Sequence, residues 1–221
     1  MAARETGREL VVAGIAIYVE GGGDTEATLS PFRKGMSEFF RRAREAVRAR
    51  RITWRVIVCG GRQQAYEAFC DALANEASVF NVLLVDAEEP VAITAAPWKH
   101  LHDRPGDRWV QPPRADGARC QMMVACMEAW FLADPDGLSR HFKHHFDRRK
   151  LPRPEQAETR TVAQITDALK KATRNTKARE YEEIRDGAKL LALIDPAKVR
   201  EHCKWCDRLF RTLGDAIGAD V

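Results

Sequence analysis

The order of elements in this chain predicts an α/β fold: a mainly parallel, Rossmann-like sheet flanked by helices, with a helical C-terminal extension. Three observations carry that expectation. Short apolar runs alternate with helix-periodic stretches over the first part of the chain, a pattern that implies right-handed crossovers and parallel strands. The apolar runs stop at acids or at glycine turns, the ends at which open α/β sheets bind ligands. Beyond a basic, proline-containing stretch at 148–154 the periodicity is helical only. The division is therefore an α/β domain over 1–147 and a helical extension over 148–221 packed on it.

Composition narrows the class. The 221 residues, 45% of them hydrophobic, are enough for a sizeable core. Basic residues number 36 against 32 acidic, a net +4 that permits an anionic partner without demanding one. No apolar run approaches the roughly 20 residues that span a bilayer. The first ten residues lack the apolar centre of a signal peptide, so the expected compartment is the cytoplasm, with reduced cysteines. Cys203 and Cys206 form C-x-x-C, but Val199, Cys203, Cys206, Phe210, Leu213 and Ile217 share one helical face. With no second C-x-x-C, both thiols read as core.

The elements follow in order. Ile15, Ile17 and Val19 alternate as a buried strand that closes on Glu20 and three glycines, with Asp24 and Thr25 placed to cap the next helix. That helix is expected over 26–51, its regular part starting near Pro31; Arg41, Arg44, Arg48 and Arg51 share a face, either a solvated stripe or one that contacts phosphates. A second strand at 53–59 runs into Gly60-Gly61-Arg62 and a helix to about 77. Such a turn favours an anion at the helix amino end, which makes Arg62 a candidate phosphate contact. The third strand, 80–85, ends in Asp86-Ala87-Glu88.

Residues 90–117 carry Pro97, Pro105, Pro112 and Pro113, which exclude a long regular element. Trp98, Lys99, Arg104 and Trp109 interleave aromatic and basic character there. That mixture suits stacked bases and a phosphate backbone, while each tryptophan taken singly reads as a pin holding the loop to the domain. The run 120–127 is a fourth strand or the start of a helix, and Glu128 closes the strand or opens the helix. His141 and His145 would share a helical face, although a surface cluster is the simpler reading than a metal site.

The acids are the chemical signal. Strands that are parallel neighbours would bring Glu20 and Asp86 together, and Glu88 would point the same way as Asp86 in an extended segment. Hard oxygen donors gathered in this way suit Mg²⁺ or Mn²⁺.

The motifs V-E-G-G-G-D at 19–24 and L-L-V-D-A-E at 83–88 resemble the two signatures of TOPRIM domains, the metal-dependent folds of topoisomerases, bacterial primases and overcoming-lysogenization-defect nucleases. The chain is more closely similar to a prokaryotic family of TOPRIM-like proteins. That family's pattern is matched at 17–24, at 59–66 (C-G-x-R-x-x-A-Y), at 83–88, at 97–101 (P-W-x-H-L), at 123–134 (M-V-x-C-M-E-A-W-F-L-A-D) and at 194–199. The resemblance implies that Glu20 is a general acid or base and that Asp86 and Glu88 stand in for the metal-holding D-x-D pair, the second acid here one methylene longer. Asp24 falls where related nucleases carry a further acid, and Glu128 has no role in the general pattern. The resemblance also implies an ATPase partner and a place in prokaryotic defence.

The expected function is Mg²⁺- or Mn²⁺-dependent phosphodiester hydrolysis on DNA or RNA. Glu20, Asp24, Asp86, Glu88 and Glu128 would surround the metal, Glu20, Asp86 and Glu88 would be catalytic, and Arg62, Trp98, Lys99 and Arg104 would hold the strand. Its rivals are a nucleic-acid-binding module that does not cleave, a subunit inactive without its ATPase, and a small-molecule phosphotransferase. A homo-oligomer is compatible with all of them. Topoisomerase action does not fit, because Tyr18, Tyr66 and Tyr181 read as structural. The hydrolytic reading requires Glu20 and Asp86 to converge and neither to be buried against a fixed arginine.

Overall fold

A computed structural model describes residues 12–177 and 179–221; the first ten residues, on which the expectation of no leader rests, lie outside them. Four strands form one sheet: β1 (Gly14–Val19), β2 (Thr53–Val58), β3 (Val79–Asp86) and β4 (Cys120–Met123). All neighbours are parallel, in the order β2-β1-β3-β4. The chain leaves β1 toward one edge and returns past it to β3, so the winding reverses between β1 and β3. Ligands bind at such switch points, outside the carboxyl ends of the strands. The register pairs Val19 with Leu84, so Glu20 and Asp86 emerge side by side at that point.

Both faces of β1 are buried, which explains its unbroken apolar sequence. Ile15, Ile17, Val19, Val82 and Leu84 face one layer; Ala16, Tyr18, Leu83 and Val85 face the other. On the second face lie α3 (Arg62–Asn75) and the short α4 (Pro97–Asp103). The first face is covered by α1 (Glu26–Phe39), α2 (Arg41–Ala49), α5 (Glu128–Ala133) and α6 (Pro135–Phe142). The C-terminal helices α7 (Val162–Thr173), α8 (Glu183–Leu191), α9 (Pro196–His202) and α10 (Lys204–Ile217) complete that layer. One continuous core thus crosses residue 148: Phe39 stacks on Trp130 at 4.7 Å, and Phe210 meets Phe39 edge-on.

Several expectations change in detail. The helix expected over 26–51 is two helices that break at Phe40, and Pro31 lies inside α1 rather than at its start. Thr25 is the N-cap of α1, with its N–H donating to Thr28 Oγ1. The run at 120–127 is both a strand and a turn into a helix, with Glu128 the first residue of α5. The helical face expected to run from Val199 to Ile217 divides at Cys203 into two helices, and both Cys203 and Cys206 are buried core thiols. His141 and His145 do not share a helical face: α6 ends at Phe142, His145 has φ 67°, and His141 Nε2 meets Asp186 Oδ1 at 3.1 Å. Among the described residues no helix is long and apolar enough to cross a membrane.

Two close approaches tie the layers. A Cβ on Gly35 would sit 2.4 Å from the Ala188 carbonyl oxygen, so α1 and α8 meet backbone to backbone. A Cβ on Gly60 (φ +73°) would lie 2.8 Å from the Gly23 carbonyl, which is why the two glycine turns can nest.

The amino end of α10 is held by a half-buried acid. Glu158 accepts hydrogen bonds from Lys204 N and Trp205 N at 2.8 and 2.9 Å, but burial among Cys203, Cys206 and the core pushes its pKa up to about 7. A carboxyl with a raised folded-state pKa favours the fold in its protonated form. That contribution is complete below pH 4.5 and is lost as pH rises through 7, a loss of up to about 3 kcal/mol. Urea unfolding from pH 4.5 to 8 checks this, since Glu158→Gln should flatten that part of the profile. A wild-type stability that rises through this window with Glu158 intact, and not with Gln, would show that the helix N–H groups outweigh burial.

Candidate functional site at the carboxyl ends of the strands

The site is built from five carboxylates. Glu20 follows β1, Asp86 ends β3, Glu88 lies two residues on, Glu128 opens α5 and Glu183 opens α8. Glu20 Oε2 accepts from the Asp86 backbone N–H at 3.1 Å, the contact that joins the two strand ends. Asp86 Oδ1 accepts from Met127 N at 2.9 Å, which ties β3 to the turn before Glu128. Glu128, buried in the α5 amino end, accepts from the Tyr181 hydroxyl at 2.9 Å.

The acids load one another with negative charge. Burial first, then Glu20, Glu128 and Glu88 raise the Asp86 pKa well above the usual carboxylate range, against the Met127 N–H that lowers it. Glu20 is raised by burial and Glu88, against Arg62 and the Asp86 N–H. Glu183 stands at the exposed rim, and its pKa too is raised, by loss of solvent and then by Glu128, Glu20 and Glu88.

The cation that reaches Glu20 and the end of β3 is Arg62, and it is fixed. Arg62, the first residue of α3, donates Nε and Nη2 to the Asp107 carboxylate, both at 2.7 Å, and Nη1 to Glu20 Oε2 at 2.8 Å and to the Asp86 carbonyl at 2.5 Å. Its guanidinium lies 5.2 Å from the Trp109 ring centroid, and Trp109 stacks on Tyr66 at 4.5 Å. The Asp107 side chain is 2% exposed and also accepts from Arg104 Nη1 at 2.9 Å. The convergence of Glu20 with Asp86 is therefore present, while the freedom of Glu20 from a fixed arginine is not. Glu20 Oε2 is committed to Arg62 and to the Asp86 N–H, while 17% of its side chain stays exposed.

The other expected residues sort by their contacts. Asp24 is exposed beside Gly60 and is not among the charges that shift Glu20 or Asp86, because the glycine turn carries it past the strand ends. Glu88 has φ 68°, so the segment after β3 is not extended, and its carboxylate stands 3.8 Å from Arg104 Nη2 at the rim. Arg62 is an internal strut with 13% of its side chain exposed, not an open phosphate contact. Trp98 is buried with Nε1 donating to the Asp116 carbonyl at 2.9 Å, so both tryptophans pin the 90–117 segment and neither is a free stacking surface. Lys99 is exposed and paired with Asp103 one turn on. Arg104 is divided between Asp107 and Glu88.

Glu183, Tyr181 and Asp107 join the site without any motif to announce them. Each lies in a segment with no local spacing relation to the acids at the strand ends.

The donor set is all oxygen and short of positive charge, which is the chemistry of a hard divalent cation. Among the described residues no group of three or more His, Cys, Asp or Glu side chains is placed to hold a metal ion. Mg²⁺ sites commonly use one or two carboxylates, with water and substrate phosphate filling the rest. Asp86 and Glu128, which act on each other through their charges, are the two carboxylates that could meet that requirement.

Residues 19–214 match the model of a family described as a domain of unknown function. No curated protein and no solved structure matches the chain.

Proposed function

Taking as premise that the chain belongs to that family, DUF4276, we propose that its acidic strand ends bind Mg²⁺ or Mn²⁺ and direct it at phosphodiester bonds of nucleic acid, which are hydrolysed there. The observation that supports this most is the meeting of Glu20, Asp86 and Glu128 at the reversal between β1 and β3, with Asp86 strongly disfavoured as a bare anion. The resemblance to TOPRIM domains points the same way. Asp86 and Glu128, with Glu183 and Glu88 at the rim, would hold the metal. A bound divalent ion supplies polarisation of a phosphoryl oxygen and a water of lowered pKa.

The chain's own groups do the rest. Arg62 fixes Glu20 and the Asp86 carbonyl in one place, so the end of β3 cannot drift from β1. Tyr181 orients Glu128 through its hydroxyl. Glu20, tied through Oε2, acts as an anchor of the Asp86 backbone rather than as the acid or base that the resemblance implies.

The Glu20–Arg62 pair breaks the condition set for Glu20, so hydrolysis stands only if Asp86, Glu128 and the metal's water carry the chemistry without it; the same pair favours a second reading, a module that binds metal and nucleic acid without cleaving. The ATPase partner and the role in defence rest on the sequence resemblance. The test is calorimetric titration of the protein with Mn²⁺, beside incubation with plasmid and single-stranded substrates with Mn²⁺ or EDTA. Mn²⁺ binding with EDTA-sensitive cleavage is the expected result. Binding of metal and nucleic acid without cleavage selects the second reading, and absence of Mn²⁺ binding ends both.

A further inference from the structure

The C-terminal helices border a cleft that reaches Glu128 and Glu183, the acids at the starts of α5 and α8. Its volume is about 720 Å³, within the range of ligand sites. Glu128 and Glu183 line it, and so do Lys170 of α7, Arg174 just beyond that helix, Arg179 in the following loop, and Arg185 of α8. The loop is held in shape from inside: Thr173 Oγ1 donates to the Leu169 carbonyl at 2.8 Å and accepts from Tyr181 N at 2.8 Å, and Thr176 Oγ1 donates to the Arg179 carbonyl at 3.2 Å.

The four cations are not equivalent. Arg174 pairs with Glu180 at 2.9 Å, and Arg185 pairs with Glu182 at 3.1 Å and with Asp186 at 2.6 Å. Lys170 and Arg179 are exposed and form no ion pair among the described residues. The cleft therefore sets open positive charge on its wall against the buried carboxylate of Glu128 and the exposed one of Glu183. A phosphate chain carrying a divalent ion matches both, since its oxygens meet the lysine and arginine while the ion faces the acids.

We propose that this cleft, and not the 97–114 segment, is where a nucleic-acid strand lies, its backbone phosphates held by Lys170 and Arg179 as it passes Glu128 and Glu183. The placement deepens the proposed metal-dependent function and rests on it for the role of the acids. It is also consistent with the 97–114 segment, whose tryptophans are buried and whose Arg104 is engaged in ion pairs.

The test is fluorescence anisotropy of a labelled single-stranded oligonucleotide with the full chain in Mn²⁺, comparing wild type, Lys170→Glu/Arg179→Glu and Lys99→Glu, with Mn²⁺ calorimetry on each. The cleft variant should bind about tenfold or more weakly. Its slope of log affinity against log salt should fall by about 1.4, as expected for two lost phosphate contacts to a single strand. Its Mn²⁺ binding and circular dichroism should be unchanged, and Lys99→Glu should behave as wild type. Unchanged oligonucleotide binding in the cleft variant overturns the placement while leaving the metal reading intact. Loss in Lys99→Glu alone returns the strand to the 97–114 segment. Equal competition by a mononucleotide overturns the polymer as ligand. Absence of Mn²⁺ binding in wild type, with the cleft variant still impaired for oligonucleotide, defeats the metal reading and leaves the cleft standing.

Discussion

Asp86→Asn is expected to abolish Mn²⁺-dependent cleavage, by about a thousandfold or more, while making the metal-free protein more stable at pH 8. The two effects have one cause. Asp86 sits where burial, Glu20, Glu128 and Glu88 all oppose its ionised form, so its charge costs the fold stability unless a cation answers it. Asparagine keeps an oxygen that can accept the Met127 N–H and removes the charge. A group with a raised folded-state pKa contributes most when protonated, so the gain should appear above the ordinary carboxylate range and vanish in acid. The activity loss corresponds to several kcal/mol of transition-state stabilisation, the scale of a bound metal's electrostatic contribution. Thermal melts with and without Mn²⁺ read both at once: wild type should rise with metal, whereas the variant should start higher and not respond. A variant that still melts higher on adding Mn²⁺ would remove Asp86 from the metal site.

Arg62→Met is expected to be the most destabilising single change at the site, about 3–5 kcal/mol in urea unfolding, because it strands Asp107 and Glu20 in poorly solvated positions. Arg62→Lys should recover only part of this. A lysine cannot reproduce the two-pronged contact with Asp107 while also reaching Glu20 and the Asp86 carbonyl. A double variant, Arg62→Met/Asp107→Asn, should recover more than lysine does, since it removes the stranded charge along with its partner. A loss under 1 kcal/mol for Arg62→Met would mean that solvent already screens the pair.

The sheet was legible because its signals are local. Alternating Ile15, Ile17 and Val19, the Gly60-Gly61 turn and the apolar run before Asp86 each define an element within a few residues, and short crossovers leave little choice but parallel pairing. The meeting of Glu20 with Asp86 follows from that pairing. What stayed hidden depends on contacts between distant segments. Arg62 in a glycine turn reads as a phosphate contact until Asp107, 45 positions away, is seen to occupy its fork. Trp98 and Lys99 are adjacent in sequence, yet one is core and the other solvated, because a short helix turns them to different sides. Glu183 has no signature beyond an acid at a helix start, and only the packing of α8 against α1 brings it to the strand ends.

That packing has a consequence for how the protein can be cut. With the backbones of Gly35 and Ala188 in direct contact, α8 is not an ornament laid over a finished body. A fragment stopping at residue 147 would strip the cover from α1 and discard Tyr181 and Glu183, the partner of Glu128 and the acid at the rim. The junction that composition suggests near 148 is thus a change in the style of the polymer, while the smallest piece able to assemble these acids reaches to the far helices.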